Sequence, residues 1–255
     1  MRRWPDVPYT LAVPSQSTTV VVSDAHLGQQ GNRTRDAFHS FLRAVPELGQ
    51  HLLINGDLFE FWFEYRHVIP RSAFATLSVL SGIRDKGVRL TVTGGNHDRW
   101  GLDFWSSELG ADFHSGHARM ELSGWQAWVA HGDGASELDS SGRILHKITR
   151  HPLTAATFRL LHPDLAISLV NRMSDRLAAR KNETLAIRAA AAQVEFARTI
   201  LEREPDVNLV ILGHTHRPAL ASLEDGRWYF NPGAWMEGQR YGLVTPDGPE
   251  LMTFE

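Results

Sequence analysis

Five short apolar runs in this chain each stop at a cluster of polar, metal-capable residues, and this repeated pairing constrains the fold more than any other feature. "TTVVVS" (Thr18–Ser23) runs into Asp24 and His26, and "HLLI" (His51–Ile54) into Asn55-Gly56-Asp57. "RLTVT" (Arg89–Thr93) runs into Gly94-Gly95-Asn96-His97-Asp98, and "QAWVA" (Gln126–Ala130) into His131-Gly132-Asp133. "NLVIL" (Asn208–Leu212) runs into Gly213-His214-Thr215-His216. Apolar runs of this length, bounded by turn residues, read as buried strands. "RWYF" (Arg227–Phe230) is a sixth, and the tail from Tyr241 reads as a hairpin turning at Pro246–Gly248. Helical patterns lie between them, in "RDAFHSFLRAV" after the first strand and "RSAFATLSVLSGIRDK" before the third. Strands alternating with helices predict a layered α/β fold with a largely parallel sheet. Ligands bind such sheets outside the carboxyl ends of the strands, so five tips would gather along one edge.

Each cluster alone carries little. With 15 Asp and 13 His in the chain, about one Asp-x-His is expected by chance, and Asp112-Phe113-His114 is a second one with no clear strand before it. A lone His-Gly-Asp or Asn-His-Asp is more often a turn whose side chains bond their own backbone. The conjunction is what points to a site: five clusters follow five strands.

Asp24, His26, Asp57, Asn96, His131, His214 and His216 offer carboxylate, imidazole and amide donors. Seven donors exceed one tetrahedral zinc and suit two divalent cations of higher coordination. Imidazole with oxygen ligands accommodates Mn²⁺, Fe, Zn or Ni, and Mn²⁺ is the first expectation. Two such cations hold a hydroxide and clamp a phosphoryl group for in-line attack. The chain has no cysteine, which excludes thiolate sites and disulfides.

The remaining features bound the class. At 255 residues the chain suits one large domain, 1–255, with room for an insertion. Its net charge of −3 argues against nucleic acid as partner. No leader and no membrane-spanning run is expected, which predicts a cytoplasmic protein. Arg143 to Lys181 differs in composition, with eight Lys or Arg against two Asp. Within it Leu165, Leu169, Met173 and Leu177 share one helical face and Arg172, Arg176 and Arg180 another, a basic amphipathic helix. Either it packs its apolar face on the domain, or it forms a lid or a surface for anionic lipid or nucleotide. A long Ala-rich helix is predicted from Glu183 to Glu204, capped by Asn182 and followed by Pro205. Arg99 and Arg217 adjoin the ligand clusters and are either phosphate contacts or rim charges. His39, His51, His67, His114, His117, His146, His151 and His162 are read as surface or core residues.

The five blocks, in this order from residue 24 to residue 216, resemble the calcineurin-like metallophosphoesterases. That resemblance implies a four-layer αββα sandwich with a dinuclear site at the strand ends. It implies one metal held by Asp24, His26, Asp57 and His216 and another by Asp57, Asn96, His131 and His214. It also implies that His97 stabilises the transition state or protonates the leaving oxygen, oriented by Asp98. A narrower similarity, to the UDP-2,3-diacylglucosamine diphosphatases of lipid A synthesis, covers most of the chain. It rests on "GDLFEFW" (Gly56–Trp62), "GHTHRP" (Gly213–Pro218), "KNETLAI" (Lys181–Ile187) and the basic insert. It implies that residues 140–182 form a helical lid over acyl chains, docked at the inner face of the inner membrane. It further implies that Asn96, Asp139, Arg180 and Lys181 contact substrate. The chain departs from that family at His97, where its best-known members carry Arg.

Three functions compete on this reading. The first is hydrolysis of a UDP-linked diacylated sugar to UMP and a sugar 1-phosphate. The second is a general phosphodiesterase or phosphatase of the same fold. The third, a scaffold that has lost its chemistry, is disfavoured because every ligand position is filled.

Overall fold

The computed structural model describes residues 18–28, 31–136, 151–166, 168 and 183–255. The chain order begins β1 (Thr19–Val22), α1 (Asn32–Leu48), β2 (His51–Asn55), α2 (Phe74–Arg84), β3 (Arg89–Thr93) and α3 (Phe104–Ser107). It continues with β4 (Asp112–His114), β5 (Ala118–Leu122), β6 (Trp125–Val129), α4 (Asp133–Ser136), α5 (Pro152–Phe158) and α6 (Glu183–Arg203). It ends with β7 (Leu209–Ile211), β8 (Ala219–Ser222), β9 (Trp228–Asn231), β10 (Arg240–Thr245) and β11 (Gly248–Thr253). No helix among the described residues is long and apolar enough to cross a membrane.

There are two sheets, not one. The first has six strands in the order β11-β10-β1-β2-β3-β4 and the second five in the order β5-β6-β7-β9-β8. β1, β2, β3 and β4 run parallel, as do β6, β7 and β9. The expected tail hairpin forms the antiparallel edge of the first sheet, with Thr245 paired to Gly248 across a two-residue turn. Asp112-Phe113-His114 is itself the other edge strand, and Asp112 pairs with Arg89 at 2.8 Å, far from any ligand role.

Side-chain alternation builds the layers, because neighbouring residues of a strand face opposite ways. Val20, Val22, Leu52 and Ile54 pack with Phe38, Phe41, Leu77 and Leu80 of α1 and α2. The intervening Val21 and Leu53 face the second sheet, against Val129, Leu209, Ile211 and Phe230. On that sheet's far side Val210 and Leu212 pack with Ala197 and Leu201 of α6. The result is helix, sheet, sheet, helix, the αββα sandwich.

The string "FEFWFEY" serves two surfaces. Phe59 and Trp62 join the core beneath α2, while Phe61 and Phe63 receive Phe158 of α5 at 6.1 and 4.7 Å between ring centroids. α5 and residues 159–166 and 168 are the described part of the expected lid. Leu169, Arg172, Met173, Arg176, Leu177, Arg180 and Lys181, together with Asp139 and Asn182, lie outside the described residues.

Candidate metal centre

The parallel strands deliver the polar clusters to one edge. Asp24 and Asp57 follow β1 and β2, and His131 and His214 follow β6 and β7 of the other sheet. Asn55 fastens the two edges together. Its Nδ2 donates to Ala130 O at 3.1 Å, and its carbonyl accepts from Ser23 Oγ and His131 Nδ1, both at 2.9 Å. The turns are sharp. Asp24, His26, Asp57, His214 and His216 all have positive φ, five of the eight such non-glycine residues described. Each costs about 1–3 kcal/mol, a strain that surrounding structure must hold in place. Gly56, with φ +81°, lies flush against the His131 ring, where a Cβ would collide with it.

The donors converge as two clusters, Asp24/His26/His216 and Asp57/His131/His214, each with its ligand atoms within 4.8 Å of one another. His216 Nε2 stands 3.4 Å from Asp24 Oδ1, and His131 Nε2 3.1 Å from Asp57 Oδ2. His26 Nε2 lies between the two carboxylates, 3.9 Å from Asp24 and 3.7 Å from Asp57.

The opposite nitrogen of three of these rings is occupied. His131 Nδ1–H donates to Asn55 O, His26 Nδ1 to Glu60 Oε2 at 2.9 Å, and His216 Nδ1 to Glu237 Oε1 at 2.8 Å. A ring that donates from Nδ1 presents its Nε2 lone pair inward, the arrangement that fixes metal-binding histidines. Asp24 Oδ1, His26 Nε2 and His131 Nε2 are buried without a hydrogen-bond partner. Orphaned buried polar atoms call for a ligand, and these three, with Asp24 Oδ1 3.9 Å from His26 Nε2 and 3.8 Å from His131 Nε2, fit divalent cations.

The electrostatics agree. Burial would push the Asp24 carboxyl up, but His131 and His216 outweigh it and hold it at about 2. Asp57, opposed in the same way by burial, is held well below the usual carboxylate range by His131 and His97. Burial lowers His131 and His216, yet Asp57 and Asp24 lift the first to about 10, and Asp24 with Glu237 lifts the second to about 9. A negative field of this strength attracts cations. His214 differs: burial and the adjacent His131 push it down to about 4, keeping it a neutral imidazole fit for ligation.

At the third strand end the partner of His97 differs from the expectation. Asn96 is exposed at the tip of its turn. His97 sits beside His26, with ring centroids 4.8 Å apart, and its Nδ1–H donates to Glu60 O at 2.7 Å. Asp98 does not orient it. The Asp98 carboxylate accepts from three backbone amides, Asp57 at 3.1 Å, Leu58 at 2.7 Å and Gly95 at 2.8 Å. It buckles the second strand end to the third, because a carboxylate with two oxygens satisfies amides that the sharp turns leave unpaired. Arg99 is equally structural: it is buried, ion-paired with Asp133, and donates to Gly95 O at 3.0 Å. Arg217 pairs with Glu183 at the surface.

Sequence reasoning missed three supporting residues and the role of a fourth. Glu60 and Glu237 orient the ligand rings, Asn55 joins the sheets, and Gln193 of α6 ties the second-sheet loops. Gln193 Nε2 donates to Gly213 O at 2.9 Å, while its Oε1 accepts from Tyr229 at 3.0 Å and Asn231 at 3.2 Å. Glu60 stood inside the noticed "GDLFEFW" motif, but nothing in a single sequence marks Gln193.

Comparison with known proteins agrees with this geometry. A protein of Porphyromonas gingivalis named UDP-2,3-diacylglucosamine hydrolase is 29% identical over 255 residues, covering 93% of this chain and 97% of its own. Proteins of the same name from Bordetella parapertussis and Stenotrophomonas maltophilia are 31% and 29% identical, over 81% and 82% of this chain and 80% and 86% of their own. Residues 17–218, which span every cluster described above, match the calcineurin-like phosphoesterase family, and the chain belongs to it.

Proposed function

We propose that this protein is a dinuclear metal-dependent hydrolase that cleaves the pyrophosphate of UDP-2,3-diacylglucosamine, giving UMP and 2,3-diacylglucosamine 1-phosphate. The observation that carries the chemistry is the inward convergence of unpartnered Asp24 Oδ1, His26 Nε2 and His131 Nε2. The relatives' shared name over most of this chain supports the substrate.

In this reading one cation is held by Asp24, His26, Asp57 and His216 and the other by Asp57, Asn96, His131 and His214, with Mn²⁺ as the preferred ion. Such cations supply a hydroxide nucleophile near neutral pH and charge neutralisation of phosphoryl oxygens. The chain's own groups do the rest. Glu60, Glu237 and Asn55 O lock the ring tautomers. In its imidazolium form His97 donates Nδ1–H to Glu60 O and has Nε2–H left to donate to a phosphoryl oxygen as charge builds on it. A phosphate monoester leaves an anhydride readily, so transition-state stabilisation matters more for His97 here than protonation of the leaving oxygen.

The insert from residue 140 to 182 is assigned as a lid that takes the acyl chains, with Asp139, Arg180 and Lys181 toward the substrate and a basic face toward an anionic membrane surface. Phe158 seated on Phe61, Phe63 and Trp100 and the exposed Leu153, Leu160 and Leu165 support an apolar surface there. A second reading, a phosphodiesterase for a different nucleotide or phosphoester, is favoured by His97 standing where Arg is usual. A substrate panel with Mn²⁺ separates them: release of UMP from UDP-2,3-diacylglucosamine is expected. Cleavage of simple phosphodiesters with that substrate left intact would select the second reading.

A further inference from the structure

A cleft of about 830 Å³ opens directly beside the metal centre, between His214 and His216 on one side and the first turn of α6 on the other. Four charged side chains line it: Glu183, Arg217, Glu237 and Arg240. Three are engaged. Arg217 is paired with Glu183, and Glu237 accepts from His216 Nδ1. Arg240 has no acidic partner among the described residues, so it is the uncompensated cation of this wall.

Arg240 is also held in place. Its stem crosses Gly233, whose φ is +79°; a Cβ there would lie 3.2 Å from Arg240 Cδ and 3.2 Å from Pro218 Cβ. The turn leading to it is bound to the metal-binding loop, Trp235 N donating to Ser23 O at 2.9 Å and Met236 N to Asp24 O at 3.2 Å. Its last turn closes with Gln239 N donating to Trp235 O at 2.8 Å. Trp235 is fully buried. The backbone and stem of Arg240 therefore stand on a frame shared with Asp24, and its guanidinium opens into the cleft that His216 also lines.

A pyrophosphate brings two phosphoryl groups, and a dinuclear centre clamps only the one under attack. The second carries its own negative charge and must rest within one bridging oxygen of the first. We propose that Arg240 binds this second phosphate, with its nucleoside or sugar lying in the cleft. Fixed guanidinium forks suit phosphate oxygens better than any other side chain, and the cleft volume is that of a small-molecule site. The proposal rests on the pyrophosphate reading given above.

The test uses the full chain loaded with Mn²⁺, with the variants R240A and R240K. Calorimetric titration with UMP and, separately, with glucosamine 1-phosphate reads binding without turnover. Hydrolysis of UDP-2,3-diacylglucosamine is compared with that of bis(p-nitrophenyl) phosphate, which has one phosphate. R240A is expected to weaken one of the two products at least about tenfold. It should also lower kcat/KM for the pyrophosphate at least about tenfold more than for the aryl diester, with R240K recovering part of both. Which product is weakened identifies the half of the substrate that Arg240 holds. Wild-type melting temperature and metal content in R240A would exclude misfolding, and R240K carries the comparison if R240A is unstable. Unchanged affinity for both products with an unchanged rate ratio would overturn the proposal while leaving the substrate reading intact. Conversely, a wild-type protein that spares the UDP-lipid but cleaves a soluble pyrophosphate, with R240A defective on it, would keep Arg240 and sink the substrate reading.

Discussion

Glu60 grips two histidines at once: its carboxylate accepts from His26 Nδ1 at 2.9 Å, and its carbonyl accepts from His97 Nδ1 at 2.7 Å. One residue thus orients a candidate metal ligand through its side chain and a catalytic candidate through its backbone. The two roles separate on mutation, because a side-chain change leaves the carbonyl in place. Glu60→Ala is expected to weaken metal binding about 10–100-fold, the usual cost of losing a partner of a ligating histidine. Glu60→Gln, which still offers an oxygen to His26, should retain most of it. Mn²⁺ titration of the apoprotein reads both.

His97→Ala should leave two metals per chain but lower kcat about 10²–10³-fold, the cost of removing one donor to developing charge. Asp57→Ala should lose metal as well, since Asp57 Oδ2 faces both His131 and His26. Elemental analysis beside kinetics distinguishes the two, and equal metal loss in both variants would reverse the roles.

Asp98 is expected to matter for stability first. It is 1% exposed and holds three backbone amides. Asp98→Ala would strand all three in the interior, costing roughly 3–5 kcal/mol in urea denaturation. Asp98→Asn keeps one acceptor oxygen and should cost less. If Asp98 instead oriented His97, Asp98→Asn would depress kcat without moving the denaturation midpoint.

The contrast between Asp98 and His97 shows what the sequence could reveal. The candidate metal-binding positions were legible because apolar runs and Gly, Asp and His punctuation are local, and β1, β2, β3, β6 and β7 form within a residue or so of where those runs lie. The division into two sheets was not legible from periodicity, since Val21 and Val22 look alike in sequence and differ only in which layer they meet. β5 was missed because Arg119 and Glu121 break its apolar pattern, and β8 because its four residues, two of them alanine, are too few to show one. The partner of His97 was misread because adjacency in sequence suggested Asp98, whereas a tight turn points neighbouring side chains apart and brings Glu60 across from another loop.

Gln193 illustrates the limit further, since it reaches the centre from a helix, 62 residues beyond His131. Its carboxamide bonds Gly213, Tyr229 and Asn231 and lies 3.4 Å from Gly132 O. Gln193→Leu keeps the volume and removes every bond, freeing the loops that carry His131, His214 and His216. A positioning role predicts metal affinity falling about tenfold or more, with Gln193→Glu recovering the acceptor side only. A purely structural role would lower the melting temperature and leave the affinity of the folded protein unchanged.

His51 supplies a pH dependence remote from the metals. It begins β2, with Nε2 2.8 Å from Thr91 Oγ1 and Nδ1 3.5 Å from Thr19 Oγ1. Burial, then Arg89, pushes it down to about 4 from 6.5, despite the opposing Asp112. The native state therefore favours the neutral ring, while the unfolded chain takes up a proton below about 6.5. Its contribution is fully present above pH 6.5 and is lost as pH falls from there toward 4. With partial exposure discounted, the loss is on the order of 2–3 kcal/mol. Urea midpoints measured between pH 7 and 4 should fall for the wild-type protein and fall less steeply for His51→Gln. A residual slope is expected in that variant, because burial, Arg43 and Arg35 lower His39 in the same direction. Parallel slopes in the two proteins would place the acid sensitivity elsewhere.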